Sequence, residues 1–212
     1  MGYGRGMSFT PRRGAAWLVL SGLLLGATAC QASVPEDLRT TQALPSPTGA
    51  NGQPLAAAAG EHNAADTMFA EMMRVHHEQA LTLSDLVLAK PGLDPRVRAM
   101  AQQIKAAQTP EIDQMVGWLA GWGITPGSMG DHTGHMTGMV SQADLEKIRA
   151  ADGASGQKLF LKHMIEHHEG AVDMAEDELR LGLNPDAKAL ARTIIAAQEK
   201  EISEMRALLK SL

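Results

Sequence analysis

Cysteine is nearly missing from this chain: Cys30 is the only one in 212 residues. No intrachain disulfide can form, and a structural zinc site built on cysteines is excluded, so the fold must hold by packing. Aromatic residues make up 3 % of the chain, Lys and Arg form no cluster, and the net charge is −5. That balance argues against nucleic acid as a partner. No apolar run is long enough to span a bilayer comfortably. A nucleophile elbow, a phosphate loop and a convincing triad are all missing. No Glu-x-x-His occurs either, which argues against a ferritin-type di-iron oxidase. Methionine, by contrast, is abundant, with 13 residues.

The N-terminus reads as an export signal over residues 1–30. Arg5, Arg12 and Arg13 form a positive region, Ala15 to Ala27 an apolar one, and Ala27-Thr28-Ala29-Cys30 a small-residue cleavage site. A lone cysteine at that place has the form of a bacterial lipobox, which makes Cys30 the expected site of lipidation and the lipid the expected anchor to the outer face of the cell membrane. Ala27 stands where leucine is usual. The alternative is a plain signal peptide cut near Ala29, leaving a secreted or periplasmic protein. Residues 31–63 are rich in Pro, Ala, Ser, Thr and Gly, and such a segment buries too little to offset its ordering entropy. It is expected to be a flexible tether to a single domain over 64–212.

Two stretches about ninety residues apart repeat a pattern, MFAEMMRVHHEQAL from Met68 and LFLKHMIEHHEGAV from Leu159. Aligned on His76-His77-Glu78 and His167-His168-Glu169, they match Phe69 with Phe160 and Met73 with Met164. The likeness continues through Asp94-Pro95 and Asn184-Pro185 to Gln108, Glu111 and Met115 against Gln198, Glu201 and Met205. Each half, 66–121 and 157–212, predicts a helical hairpin: apolar residues recur at helical spacing, Pro91-Gly92 and Gly182 stop the first helices, and the Asp-Pro and Asn-Pro pairs cap and open the second. An all-α, antiparallel four-helix bundle of two repeated hairpins follows, joined by a linker over 122–156.

At about 100° per residue, Phe69, Met72, Met73, His76, Ala80, Leu83 and Val87 share a face, as do Phe160, His163, Met164, His167, Ala171 and Met174. His77 and His168 fall at the edges of those faces, and Glu78 and Glu169 point to solvent or another helix. Met72 with His76, His163 with His167, and Met164 with His168 are four apart and therefore neighbours. Gln108 and Gln198 lie mid-face on the second helices, with Glu111 and Glu201 close by. The economical pairing has the two glutamines bonding the central histidines and fixing the free ring nitrogen, as supporting residues do around metal ligands. Ordinary core histidines satisfied by the glutamines are the competing account.

The linker adds Met129, His132, His135, Met136 and Met139 in a glycine-rich stretch, suited to capture of a soft ion. Thioether sulfur selects Cu(I) or Ag(I), and imidazole takes Cu(I), Cu(II) or Zn(II) alike. The doubled blocks FLKHMIEHHEGAVDMA and MFAEMMRVHHEQAL resemble the family catalogued as domain of unknown function 305, from about Asp66 to Leu212. The resemblance implies a ferritin-like four-helix fold, export, and copper binding, with Met73, His76, His77, Met164, His167 and His168 as ligands. The expected function is binding of copper, Cu(I) above Cu(II), for sequestration, resistance or delivery to a copper-handling partner, and not catalysis. The alternatives are a copper-dependent oxidase and a metal-free bundle that contacts other proteins.

Overall fold

The computed structural model describes residues 60–127 and 136–212; the export signal, Cys30, most of the tether, Met129, His132 and His135 lie outside them. Among the described residues all regular structure is helical: α1 (Ala64–Leu88), α2 (Pro95–Gly121), α3 (Gln142–Ala150), α4 (Gly153–Leu181) and α5 (Pro185–Ser211). No helix there is long and apolar enough to cross a membrane. Where sequence periodicity predicts four helices, there are five. The additional one, α3, lies inside the stretch read as linker, and α4 starts within that stretch as well.

Local chemistry sets the helix ends. The Asn63 side chain accepts from the Ala65 and Asp66 N–H groups at 2.8 and 3.1 Å, while the Asp66 carboxylate takes the Asn63 N–H at 2.6 Å, a reciprocal cap. Asp94 and Asn184 cap α2 and α5, each ahead of a proline whose missing N–H costs nothing in a first turn. Ser141 caps α3 through the Asp144 N–H at 3.1 Å. Residues read as the end of the tether are tied down as well: His62 stacks on Trp122 at 4.5 Å, and the Asn63 amide donates to the Leu181 carbonyl at 2.9 Å.

α1 packs on α2, α4 on α5, and α1 on α4. Two apolar clusters fill the interior. One holds Leu83, Val87, Val97, Ile104, Phe160, Leu161, Met164 and Met205. The other holds Phe69, Met73, Met115, Leu119, Ala171, Leu190 and Ile194. The N-terminal half of α1 thus shares a cluster with the C-terminal half of α4, so the two run antiparallel. Every long helix leaves one cluster and enters the other, and at each crossing its inward residues are polar. His76 and His77 mark that point on α1, Gln108 on α2, His167 and His168 on α4, and Gln198 and Glu201 on α5, all of them buried.

Candidate metal centre

The waist between the two apolar clusters gathers the histidines. All four are 0 % exposed. His76 and His167 face each other across the α1–α4 contact with ring centroids 3.6 Å apart and planes tilted by 34°. His77 and His168, expected at the edges of their faces, are buried because α2 and α5 cover them. His77 Nε2 meets Glu111 Oε2 at 2.8 Å, and His168 Nε2 meets Glu201 Oε2 at 2.9 Å. The Gln103 amide steadies the second pair by donating to Glu201 Oε1 at 3.1 Å.

Facing a carboxylate, a ring nitrogen must carry the proton, so Nε2–H donates in both pairs and Nδ1 keeps its lone pair. The bonds expected from Gln108 and Gln198 to the central histidines are not made. Among the described residues, both amide atoms of Gln108 and the Oε1 of Gln198 lack a partner. The glutamates, one turn further along, reach the outer histidines instead, and the central imidazoles stack on each other. Among the described residues, six ring nitrogens are left buried without a hydrogen-bond partner: two on His76, two on His167, and Nδ1 on His77 and on His168.

Burial favours the neutral form of His76, His167 and His168. It pushes His76 down to about 3, with the neighbouring His77 adding to the effect. His167 is driven well below the usual imidazole range by burial and then by His76. His168 is lowered by burial, against the opposing pull of Glu201. A neutral, buried imidazole with an unshared lone pair is a ready donor to a cation. Met73 and Met164 are fully buried one turn away, in opposite apolar clusters. Among the described residues, no three His, Cys, Asp or Glu side chains converge as a metal-holding group.

The other predicted donors among the described residues lie outward. Met72, Met136 and Met139 are half-buried, and His163 sits on the outer side of α4 with its Nδ1 3.5 Å from Glu166 Oε2. Glu78 is exposed and pairs with Arg74 at 2.7 Å, and Glu169 pairs with Arg206 of α5. Sequence reasoning missed Gln79, whose amide bonds both the N–H and the carbonyl of Val140, at 2.7 and 3.0 Å. This clamp holds residues 136–140 against α1 and α4. A side chain at Gly170 would collide with the Thr137 carbonyl at 2.1 Å, and one at Gly138 with the Glu166 carbonyl at 2.6 Å. Only glycine at both positions lets the strap lie directly on the helix that carries His167.

The family description "Domain of unknown function (DUF305)" matches residues 66–209, and the chain belongs to that family. A crystal structure of a DUF305 fragment from Deinococcus radiodurans is 31 % identical, with a TM-score of 0.66 over 72 % of this chain and 100 % of that one. A presumed secreted DUF305 protein from Streptomyces coelicolor is 35 % identical, with a TM-score of 0.65 over 69 % of this chain and 91 % of that one. CopM in its Cu(I)-bound form is 27 % identical, with a TM-score of 0.58 over 69 % of this chain and 96 % of that one, and CopM has also been solved with Cu(II) and with silver bound. Comparison with curated proteins finds no match.

Proposed function

We propose that this DUF305 protein is an exported copper-binding protein whose cargo is held at the waist of the bundle, for sequestration or for delivery to a copper-handling partner. The observation that carries the reading is the set of buried, neutral imidazoles at the waist with unpartnered nitrogens. A buried polar atom left without a partner costs about 1–3 kcal/mol, and a cation bound there would offset that cost. On this reading His76 and His167 are the central donors. His77 and His168 offer Nδ1, held in the right tautomer by Glu111 and Glu201, and Met73 and Met164 supply the thioethers that favour Cu(I) over harder ions. The central imidazoles are stacked, so at least one ring turns to accept the ion. The role is binding without turnover.

Three further parts belong to the same proposal. The four long helices form a ferritin-like bundle of two hairpins, with α3 as an insertion. Cys30 carries a lipid that anchors the protein outside the cytoplasmic membrane. Met136, Met139, His132 and His135 collect the ion from solution. The copper and silver forms of CopM and the presumed secretion of the Streptomyces relative support this reading.

A Cu(I) titration against a competing chelator tests it. Glu111→Gln and Glu201→Gln are expected to weaken binding about 10–100-fold, as loss of a supporting partner does, and His76→Ala and His167→Ala by more. Parent-like affinity in both histidine variants would sink the assignment. Oxygen consumption by the loaded protein would point to an oxidase instead.

A further inference from the structure

Outside the waist, a cleft of about 470 Å³ opens between residues 137–141, the start of α3 and the outer side of α4. His163, Glu166, Met139 and Asp144 line it. The His163 side chain is only 12 % exposed, and the contact of its Nδ1 with Glu166 leaves Nε2 for another partner. Met139 is brought there by a fixed piece of backbone, clamped by Gln79 at Val140 and pressed onto α4 at Gly138.

Charge completes the picture. Asp144 is paired with Lys147 at 2.8 Å, but among the described residues neither Glu166 nor Asp173, on the same wall, has a Lys or Arg partner. The cleft is therefore electronegative, with one imidazole and one thioether on its walls. A hard divalent ion needs more oxygen or nitrogen donors than that, and among the described residues no third such side chain converges with His163 and Glu166. A soft monovalent ion is content with one nitrogen and one sulfur.

We infer that this cleft is a second, solvent-facing site for a soft monovalent cation, with His163 Nε2 and Met139 Sδ as donors and Glu166 as counter-charge. The site is confined to one half of the molecule: the positions equivalent to His163 and Glu166 on α1 are Met72 and Val75. The inference rests on the reading of the protein as a carrier of soft metal, but it uses none of the waist residues.

The test is a titration of the full chain with Ag(I), following the imidazole nitrogens by NMR and counting bound silver. In the parent, the His163 ring signals are expected to move as a class separate from those of His76 and His167. His163→Ala should lose one equivalent of silver, and Met139→Leu should weaken that class about tenfold or more. Zn(II) should leave the His163 ring unmoved at the same concentration. Parent-like silver uptake in both variants, a His163 ring that never shifts, or an equal response to Zn(II) would each overturn the outer site. Loss of the waist class alone in His76→Ala and His167→Ala leaves the outer site standing. A chain that loses only the His163 class keeps the waist assignment. The two failures are therefore distinct.

Discussion

At the waist, α1 and α4 agree position by position: Met73 with Met164, His76 with His167, His77 with His168, each residue fully buried. One step outward they part, with Met72 opposite His163, Val75 opposite Glu166 and Gln79 opposite Gly170. The last pair is instructive. The strap at 136–140 lies on both, and one helix holds it by a side-chain amide while the other makes room by having no side chain. The repeat is thus preserved where two helices must bury the same polar groups together, and it diverges where a single loop must be held on one side only. The largest expected effect tests how alike the two cores are. Phe160 is fully buried and Phe69 is 5 % exposed. Phe160→Ala should cost about 3–5 kcal/mol in urea unfolding, and Phe69→Ala measurably less. An equal or larger loss at Phe69 would mean that the two apolar clusters are packed alike.

The two ends of the molecule invite the same test by pH. At one end the Gln157 amide oxygen accepts the Asp94 N–H at 2.9 Å. At the other, the equivalent residue is Asp66, whose carboxylate accepts the Asn184 N–H at 2.8 Å and that of Leu183 at 3.0 Å. Val87 at the first end corresponds to buried Glu178 at the second. Burial favours protonation of Asp66, but the N–H groups of Asn63, Asn184 and Leu183 outweigh it and hold the carboxyl below its usual range. Glu178 is pushed up to about 8, first by burial and then by its bond to Asp66. As a carboxylate neither oxygen of Glu178 has a donor among the described residues; as an acid it donates to Asp66.

A raised folded value means the native state holds a proton the unfolded chain has released, so stability falls as pH rises from about 4.5 to about 8 and is flat above. The histidines act in the opposite sense. His76 is lowered from 6.5 to about 3, so its contribution is lost as pH falls through that window. Glu178→Gln should remove the first slope and keep the second. The difference in urea midpoint between the metal-free parent and variant, measured from pH 5 to 9, isolates it. A variant with the parent's full slope would place the titrating group elsewhere.

Much of this arrangement was legible in the sequence, for identifiable reasons. Repeated apolar spacing together with the Asp-Pro and Asn-Pro caps located four long helices, because capping and periodicity are local properties. α3 was missed although Ser141 and Asp144 carry a cap signal, since its nine residues hold one buried apolar side chain, Ile148, too few for a period to emerge. The waist was legible as a pair of histidine blocks, but the angle of a residue around its own helix says nothing about its neighbour's offset. That offset decides whether Gln108 or Glu111, three residues apart, reaches a histidine, and it decided for the glutamates. It also buries His77, which the angle alone left at an edge.

The smallest expected effect separates the two glutamines that this offset stranded. Gln108 is buried with both amide atoms unpartnered, Gln198 with its oxygen alone. Replacing a buried, unsatisfied polar side chain by an apolar one of similar shape removes a desolvation cost of about 1–3 kcal/mol. Gln108→Met should therefore stabilise the metal-free protein by about 1 kcal/mol or slightly more, and Gln198→Met by less. If copper loading turns the central imidazoles toward the ion and brings the amides into use as their partners, the order reverses in the loaded protein, where Gln108→Met becomes the costlier change. Thermal unfolding of both variants, with and without Cu(I), reads both signs. Destabilisation of the metal-free form by Gln108→Met would show that its amide is satisfied at the waist, and would return that residue to the role of partner for His76.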